Sequence, residues 1–118
     1  MANAKQAKTA KTDNTCAVTF TAVLNRADLA DKLYICGNDA KLGGWNAEKA
    51  VALTKKGEGT FSKSIKIEKG SKIEFKILKA KCWDSVEKGM FGEEIVNHTV
   101  VADDKAEKQV VVYNFEEK

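Results

Sequence analysis

Alternation of apolar and polar residues with a period of two dominates the chain after its polar N-terminal segment. In the stretch 16–24, Val18 and Phe20 fall on one face. Thr19 and Thr21 fall on the opposite face. Because successive side chains of a strand point to opposite sides, this period predicts a half-buried β-strand. No stretch keeps a helical period long enough to compete, so the pattern predicts an all-β domain.

Further short segments of the same kind follow, each bounded by Gly, Asn, Asp or Ser. With the first, they give about seven predicted strands at a spacing of roughly 8–12 residues, which is typical of an antiparallel β-sandwich. The clearest two, on either side of the tight turn Lys69-Gly70-Ser71, are predicted to form a hairpin. Residues 55–59 are predicted to be a turn, and 80–94 an irregular stretch. The additional predicted strands are 32–36, 51–53, 60–68, 72–78, 95–101 and 109–115.

Length and composition indicate one globular domain preceded by a tail. The chain has 118 residues and a mass of 12.9 kDa, which is the size of a single domain. Residues 1–15 are mostly Ala, Lys, Thr and Asn and are predicted to be a flexible polar tail, with the sandwich domain spanning 16–118. The tail has no apolar core of a secretory signal, and no run approaches the ~20 apolar residues of a membrane helix. No membrane partner is therefore predicted.

Charge and cysteine spacing argue against a nucleic-acid-binding protein and against a zinc protein. The net charge is +3, of which the tail contributes +2, so the domain is nearly neutral and lacks the concentrated basic face of a nucleic-acid binder. Cys16, Cys36 and Cys82 show no short metal-binding or redox spacing. They are predicted to be reduced and mostly buried thiols, which favours a cytoplasmic protein. A secreted protein is the alternative if a signal peptide has been removed. One histidine and scattered cysteines cannot supply a persuasive zinc site.

Catalytic signatures are missing from the sequence. The single histidine, His98, falls in a strand pattern and has no Gly-x-Ser-x-Gly or Cys–His partner motif, so it is given no catalytic role. The acidic residues fall mostly in turns or on polar strand faces, and no glycine-rich phosphate loop precedes a helix. The sequence therefore predicts a protein that is not an enzyme and uses no cofactor or metal.

Two tryptophans fall outside the strand patterns. Trp45 follows two glycines in a loop, and Trp83 opens the long irregular stretch. One interpretation is that each indole closes an end of the sandwich, because tryptophan is usually well buried. The other is that they are displayed on loops, where binding residues concentrate. An exposed indole suits a sugar, whose apolar C–H face stacks on the ring while nearby polar groups bond the hydroxyls.

Four motifs in order carry a family resemblance: Tyr34-Ile35-Cys36-Gly37-Asn38, Leu42-Gly43-Gly44-Trp45-Asn46, Ile73-Glu74-Phe75-Lys76-Ile77 and Asn97-His98. This set resembles the starch-binding domain of carbohydrate-binding module family 20 over roughly residues 16–115. The resemblance implies an all-β, immunoglobulin-like antiparallel sandwich of seven or eight strands. It also implies non-catalytic binding of α-1,4-glucans such as starch, glycogen, maltooligosaccharides and cyclodextrins.

The same resemblance implies site residues. Trp45 matches a tryptophan that stacks on glucose, while Lys76 and Asn97 match residues that bond hydroxyls. The second stacking position is open between Trp83, which we prefer, and Lys88. We add the hypothesis that Glu87, placed by the sequence in an irregular loop, also bonds a sugar hydroxyl.

The chain departs from the family pattern at two further places. His98 stands where the family usually has Arg, and Phe61 stands where a Trp of a second site is common, so a second site is predicted to be missing or altered. Phe61 itself is predicted to lie in the core. Two alternatives to a free-standing glucan binder stay open: an immunoglobulin-like protein–protein interaction module, and a module cut from a larger amylolytic enzyme. An amylolytic or glycogen-metabolising enzyme is the protein partner that fits the resemblance.

Overall fold

The computed structural model describes residues 14–104 and 106–116, and these residues form strands joined by loops and short 3₁₀ helices. Residues 1–13 of the predicted tail lie outside the described residues, and the first strand begins at Thr15. The strands are β1 (Thr15–Leu24), β2 (Tyr34–Gly37), β3 (Val51–Ala52), β4 (Thr54–Gly57), β5 (Thr60–Glu68), β6 (Lys72–Leu78), β7 (Glu87–Lys88), β8 (His98–Val101), β9 (Glu107–Val112) and β10 (Asn114–Phe115). The 3₁₀ helices are Ala27–Leu29, Ala40–Leu42, Ala47–Lys49 and Trp83–Ser85.

Two four-stranded sheets form the body of the domain. One has the order β4-β5-β1-β9 and the other the order β3-β2-β6-β8. A small third sheet pairs β10 with β7. A single bridge between Leu78, at the end of β6, and Val86, just before β7, connects this sheet to the larger one. Pairing is antiparallel apart from β1 with β9, which run parallel. The predicted β-sandwich is thus confirmed, with one parallel pair that alternation alone does not reveal.

The core lies between the two large sheets and is built from the inward faces that the alternation predicts. Val18, Phe20 and Ala22 of β1 are buried, as are the alternate apolar residues of β6. The rings of Phe20 and Phe75 meet across the sandwich edge to face, with centroids 5.1 Å apart, an arrangement that aromatic pairs favour. Phe61 is also buried, so its predicted core position is confirmed.

The predicted hairpin of β5 and β6 is wrong, although both strands have the predicted bounds. β5 pairs with β1 and β4, whereas β6 pairs with β2 and β8 in the other sheet. The connection is an arch over the core, and its backbone is held by the β8–β9 loop: the N–H of Gly70 donates to the carbonyl of Ala102 at 2.8 Å. Both arrangements need the same alternation and a short turn, so the local pattern does not distinguish them.

Residues 55–59, predicted to be a turn, contain most of strand β4. This strand lies at a sheet edge against β5, and every one of its residues is exposed. With no buried face, β4 shows no apolar alternation, so the sequence pattern does not indicate it. The turn shifts to residues 58–59 at its end.

Candidate functional site

The loop after β2 displays the first tryptophan. Leu42 ends a 3₁₀ turn and is fully buried, which anchors the loop to the core. Gly43 and Gly44 then take φ values of 90° and 57°, which glycine adopts without steric cost. Trp45 also has a left-handed φ of 65°, and its N–H donates to the carbonyl of Gly37 at 2.8 Å. The Leu-Gly-Gly-Trp motif therefore reverses the chain and presents the indole at the surface.

The loop after β6 displays the second tryptophan. Trp83 begins a 3₁₀ helix that the buried Ser85 closes. The Ser85 hydroxyl lies 2.9 Å from the Ala80 carbonyl and 2.7 Å from the Cys82 carbonyl, and it accepts the N–H of Ala80 at 3.0 Å. A single buried hydroxyl thus holds this loop in shape.

The two indoles lie side by side and form an aromatic platform. Their ring centroids are 6.0 Å apart, and the planes are tilted by 41°. Trp45 is 36% exposed and Trp83 is 39% exposed, so neither closes the end of the sandwich. Because the ring planes are tilted, the two indoles do not form one flat surface.

A groove on one side of the platform contains the predicted polar residues. We call it the Lys76 groove; its volume is about 310 Å³, and it is lined by Trp45, Lys76, Trp83, Val86, Glu94 and Asn97. The Lys76 ammonium donates to the carbonyl of Ile95. The Asn97 amide nitrogen lies 3.4 Å from a carboxylate oxygen of Glu74. An apolar platform with a few placed polar groups is the composition expected of a small-ligand site.

A second groove is lined by the same two tryptophans. This Lys81 groove has a volume of about 500 Å³ and also contains Asn46, Glu48 and Lys81. Asn46 accepts the N–H of Glu48 at 3.0 Å and so caps the 3₁₀ helix that forms the groove wall. The sequence does not indicate Glu48, Lys81 or Glu94 as site residues, because an isolated charged residue in a loop looks the same in a groove wall as on any solvated surface.

Glu87 does not lie on this surface, so its predicted contact with a sugar hydroxyl is wrong. It lies in β7 rather than in an irregular loop, and it is 1% exposed. Its carboxylate accepts the N–H of Ile77 and contacts His98. Successive side chains of β7 point to opposite faces, so Glu87 points into the core and Lys88 points to the other side.

Lys88, the alternative second stacking position, lies away from the indoles. Its ammonium is 2.9 Å from a carboxylate oxygen of Glu116 and 3.7 Å from one of Glu94, and its side chain is 10% exposed. The hydrogen bond to Glu116 raises the pKa of Lys88 above its ordinary value of 10.5. Trp83 is therefore the residue that the structure places next to Trp45.

The cysteines differ in their surroundings. Cys16 and Cys36 are buried and Cys82 is exposed, and all three are free. Burial raises the pKa of the Cys36 thiol above 9.0, although a backbone hydrogen bond from Trp45 acts in the opposite direction. Cys36 packs with Ala47, Ala50 and Leu78 in a small apolar cluster separate from the main core. It supports the loops of the platform as an apolar residue.

Neither a membrane helix nor a metal cluster is found in the described part of the chain. No helix within residues 14–104 and 106–116 is long and apolar enough to span a bilayer. Among the same residues, no three His, Cys, Asp or Glu side chains lie close enough together to hold a metal ion.

Comparison with known proteins decides the family. The sequence profile of carbohydrate-binding module family 20, described as a starch binding domain, matches residues 15–110. The chain belongs to this family. A curated relative, the amylopullulanase of Thermoanaerobacter thermohydrosulfuricus, is 34% identical over 97 residues, which cover 80% of this chain. The match spans only 6% of the length of that relative.

Solved structures of similar fold agree with the family assignment. The family 20 module of a maltotetraose-forming amylase from Pseudomonas saccharophila has a TM-score of 0.63 and 26% identity, covering 80% of this chain and 98% of that one. The glucoamylase of Hypocrea jecorina shares the fold, with a TM-score of 0.66 and 21% identity over 85% of this chain and 17% of that one. The starch-binding domain is therefore a carbohydrate-binding module, a class of domain that binds its ligand without catalysing a reaction on it.

Proposed function

We propose that the domain binds α-1,4-glucan across the tryptophan platform. One observation carries the proposal: two exposed indoles lie with centroids 6.0 Å apart, directly beside a groove lined by Lys76 and Asn97. Glucose rings of one chain stack on Trp45 and Trp83. The ammonium and amide groups at the groove donate to sugar hydroxyls, and no bond in the glucan is broken.

The affinity of such a site is modest. The grooves are open, so bonds to sugar hydroxyls replace bonds to water with a small net gain for each. The flexible oligosaccharide also loses conformational freedom when it binds. The two stacked rings supply the apolar contact area, and they are therefore the residues whose removal costs most.

The first test is a titration with β-cyclodextrin and with maltoheptaose, followed by intrinsic tryptophan fluorescence. Saturable binding is expected for the wild type. Trp45→Ala and Trp83→Ala are each expected to weaken it by tenfold or more, since loss of an aromatic anchor costs about 2 kcal/mol. Tyr113→Ala is the matched control, because Tyr113 is 36% exposed and lines neither groove.

Three results would contradict parts of this proposal. A folded wild type that binds neither sugar overturns the proposal and leaves a protein-interaction sandwich as the better account. Equal binding of cellooligosaccharides would contradict the α-linkage preference. Loss in Trp45→Ala but not in Trp83→Ala would keep the function and remove the second stacking role.

The relatives support the proposal of an amylolytic protein partner. The amylopullulanase and glucoamylase contain a matching region as a small part of a longer chain. We infer that this domain concentrates an amylolytic activity on a glucan, either within one chain or through a separate enzyme. Addition of the Trp45→Ala variant in place of the wild type should abolish any stimulation of starch hydrolysis by such an enzyme.

A further inference from the structure

Glu87 is the buried charged residue of the described chain that has no part in the proposed contacts with glucan. Its side chain is 0% exposed, and it lies in β7 beneath the platform loops. A carboxylate in such a place is costly unless hydrogen bonds compensate for the lost hydration. The contacts of Glu87 therefore indicate what the burial achieves.

Two neighbouring strands converge on this carboxylate. Oε2 accepts the backbone N–H of Ile77 at 2.6 Å. Both carboxylate oxygens lie 2.9 Å from Nε2 of His98, which is hydrogen-bond distance. The ring of His98 also packs against the ring of Phe75, with centroids 5.2 Å apart. Glu87 is thus bonded to β6 and to the first residue of β8.

The bonds lie where the backbone pairing of these two strands stops. The pairing of β6 with β8 ends at Phe75 and His98. Beyond that pair lie Lys76 and Asn97, the two polar residues of the Lys76 groove. Each of them immediately precedes a residue that Glu87 holds. Past the end of the pairing, side-chain contacts link the two segments: Lys76 contacts the carbonyl of Ile95, Asn97 contacts Glu74, and Glu87 joins the residues that follow Lys76 and Asn97.

We propose that Glu87 is a positioning residue for the groove: it ties Ile77 to His98 and so holds Lys76 and Asn97 at the spacing that a glucan requires. The proposal rests on the proposed function. Precision at a polar site comes from the residues that support the contacting groups, and a looseness of about 1 Å is enough to weaken it. The platform is held by other residues, so its stacking should not depend on Glu87.

The test is a double-mutant comparison of Glu87→Gln, which keeps the size of the side chain and removes its charge. In the wild-type background we expect maltoheptaose to bind about fivefold more weakly, which corresponds to ~1 kcal/mol. In a Lys76→Ala/Asn97→Ala background the same change should cost less than about twofold, because the groups that Glu87 positions are gone. An equal loss in both backgrounds, or no loss in the first, would overturn the proposal.

Controls separate positioning from general stability. Val18→Ala, in the core of the other sheet, should lower the unfolding temperature without changing the affinity of the folded protein. If Glu87→Gln does not fold, the contact between Glu87 and His98 can be removed by substituting His98 instead. His98→Leu, which has no donor, should then reproduce the fivefold loss, while His98→Gln, which can donate, should bind more tightly than His98→Leu. Equal affinities of these two variants would contradict the proposal.

A sugar-free measurement distinguishes failure of this proposal from failure of the proposed function. In amide NMR spectra, Glu87→Gln should shift the side-chain amide signals of Asn97 and leave the indole N–H signals of Trp45 and Trp83 in place. Unchanged Asn97 signals would overturn the positioning role whether or not the wild type binds glucan. Shifted Asn97 signals in a protein that binds no glucan would leave the positioning intact and remove only the function.

Discussion

At the scale of single residues, the backbone of Trp45 is the most unusual feature of the platform. Its φ of 65° is the left-handed conformation that residues with a Cβ rarely adopt. Bonds on either side over-determine it: the Trp45 N–H is held by Gly37, and the N–H of Asn46 donates to Gly43 at 3.0 Å. Strain of this kind persists where the surrounding structure enforces it, and it is concentrated at functional positions. Here it directs the indole toward Trp83.

This strain predicts that glycine is a more stabilising replacement than alanine at position 45, the reverse of the usual order. Trp45→Gly should be more stable than Trp45→Ala by about 1 kcal/mol, because only glycine accepts the left-handed backbone without cost. Both variants lose the ring, and both should lose glucan binding. Urea unfolding at 25 °C measures the difference. At Trp83, whose φ is not positive, the alanine variant should be the more stable one, and an alanine advantage at Trp45 as well would refute the strain argument.

At the scale of elements, the two-residue strands β7 and β10 are stabilised by a side-chain contact as well as by their short backbone pairing. β7 and β10 pair through only two residues each. Lys88 of β7 reinforces them through its ion pair with Glu116, just beyond β10. The hydrogen bond to Glu116 raises the pKa of Lys88 above 10.5, so the folded state favours the charged lysine.

The raised pKa of Lys88 predicts a dependence of stability on alkaline pH. The contribution is complete below the ordinary value of 10.5 and is lost as the pH rises through the higher folded pKa, because the folded state then no longer gains from holding the proton. Urea midpoints between pH ~8 and ~11.5 should fall more for the wild type than for Lys88→Met. Lys69→Met, which removes a more exposed pair with Asp104, should follow the wild type. A parallel fall in Lys88→Met would show that the pair contributes nothing.

The strands also show which features of the fold the alternation pattern can predict and which it cannot. The alternation gives the bounds of β5 and β6 without error, because each strand has one buried face and that face must be apolar. It does not give β4, whose residues are all exposed. It misassigns the pairing of β5 with β6, because partners are chosen by packing between sheets and not by the turn alone.

At the scale of the whole molecule, the sandwich is held together by side chains that meet between its two sheets. Phe20 comes from the sheet of β1 and Phe75 from the sheet of β6. Phe75 also contacts the His98 ring, so the core and the support of the groove are continuous. The groove beside the aromatic platform is therefore supported by the packed core of the sandwich.

The burial of Phe20 predicts that removing its ring destabilises the domain strongly. Phe20→Ala should lower the free energy of unfolding by about 3–5 kcal/mol, through lost burial and the cavity left between the sheets. That is a large part of the roughly 5–15 kcal/mol typical of a domain. Urea unfolding checks the size of the loss. A loss of less than about 1 kcal/mol would contradict the close packing of this ring between the sheets.

The sequence by itself determined the all-β class, the inward faces of the long strands and the loop at the two glycines before Trp45. These follow from short-range rules: side-chain alternation fixes which face is buried, and glycine permits the reversed backbone. Only the tertiary structure decided which strands pair, and only it exposed Trp45, brought Trp83 beside it and buried Glu87 against Ile77 and His98. Those relations join residues far apart in the chain, and packing of two sheets, to which every strand contributes, determines them.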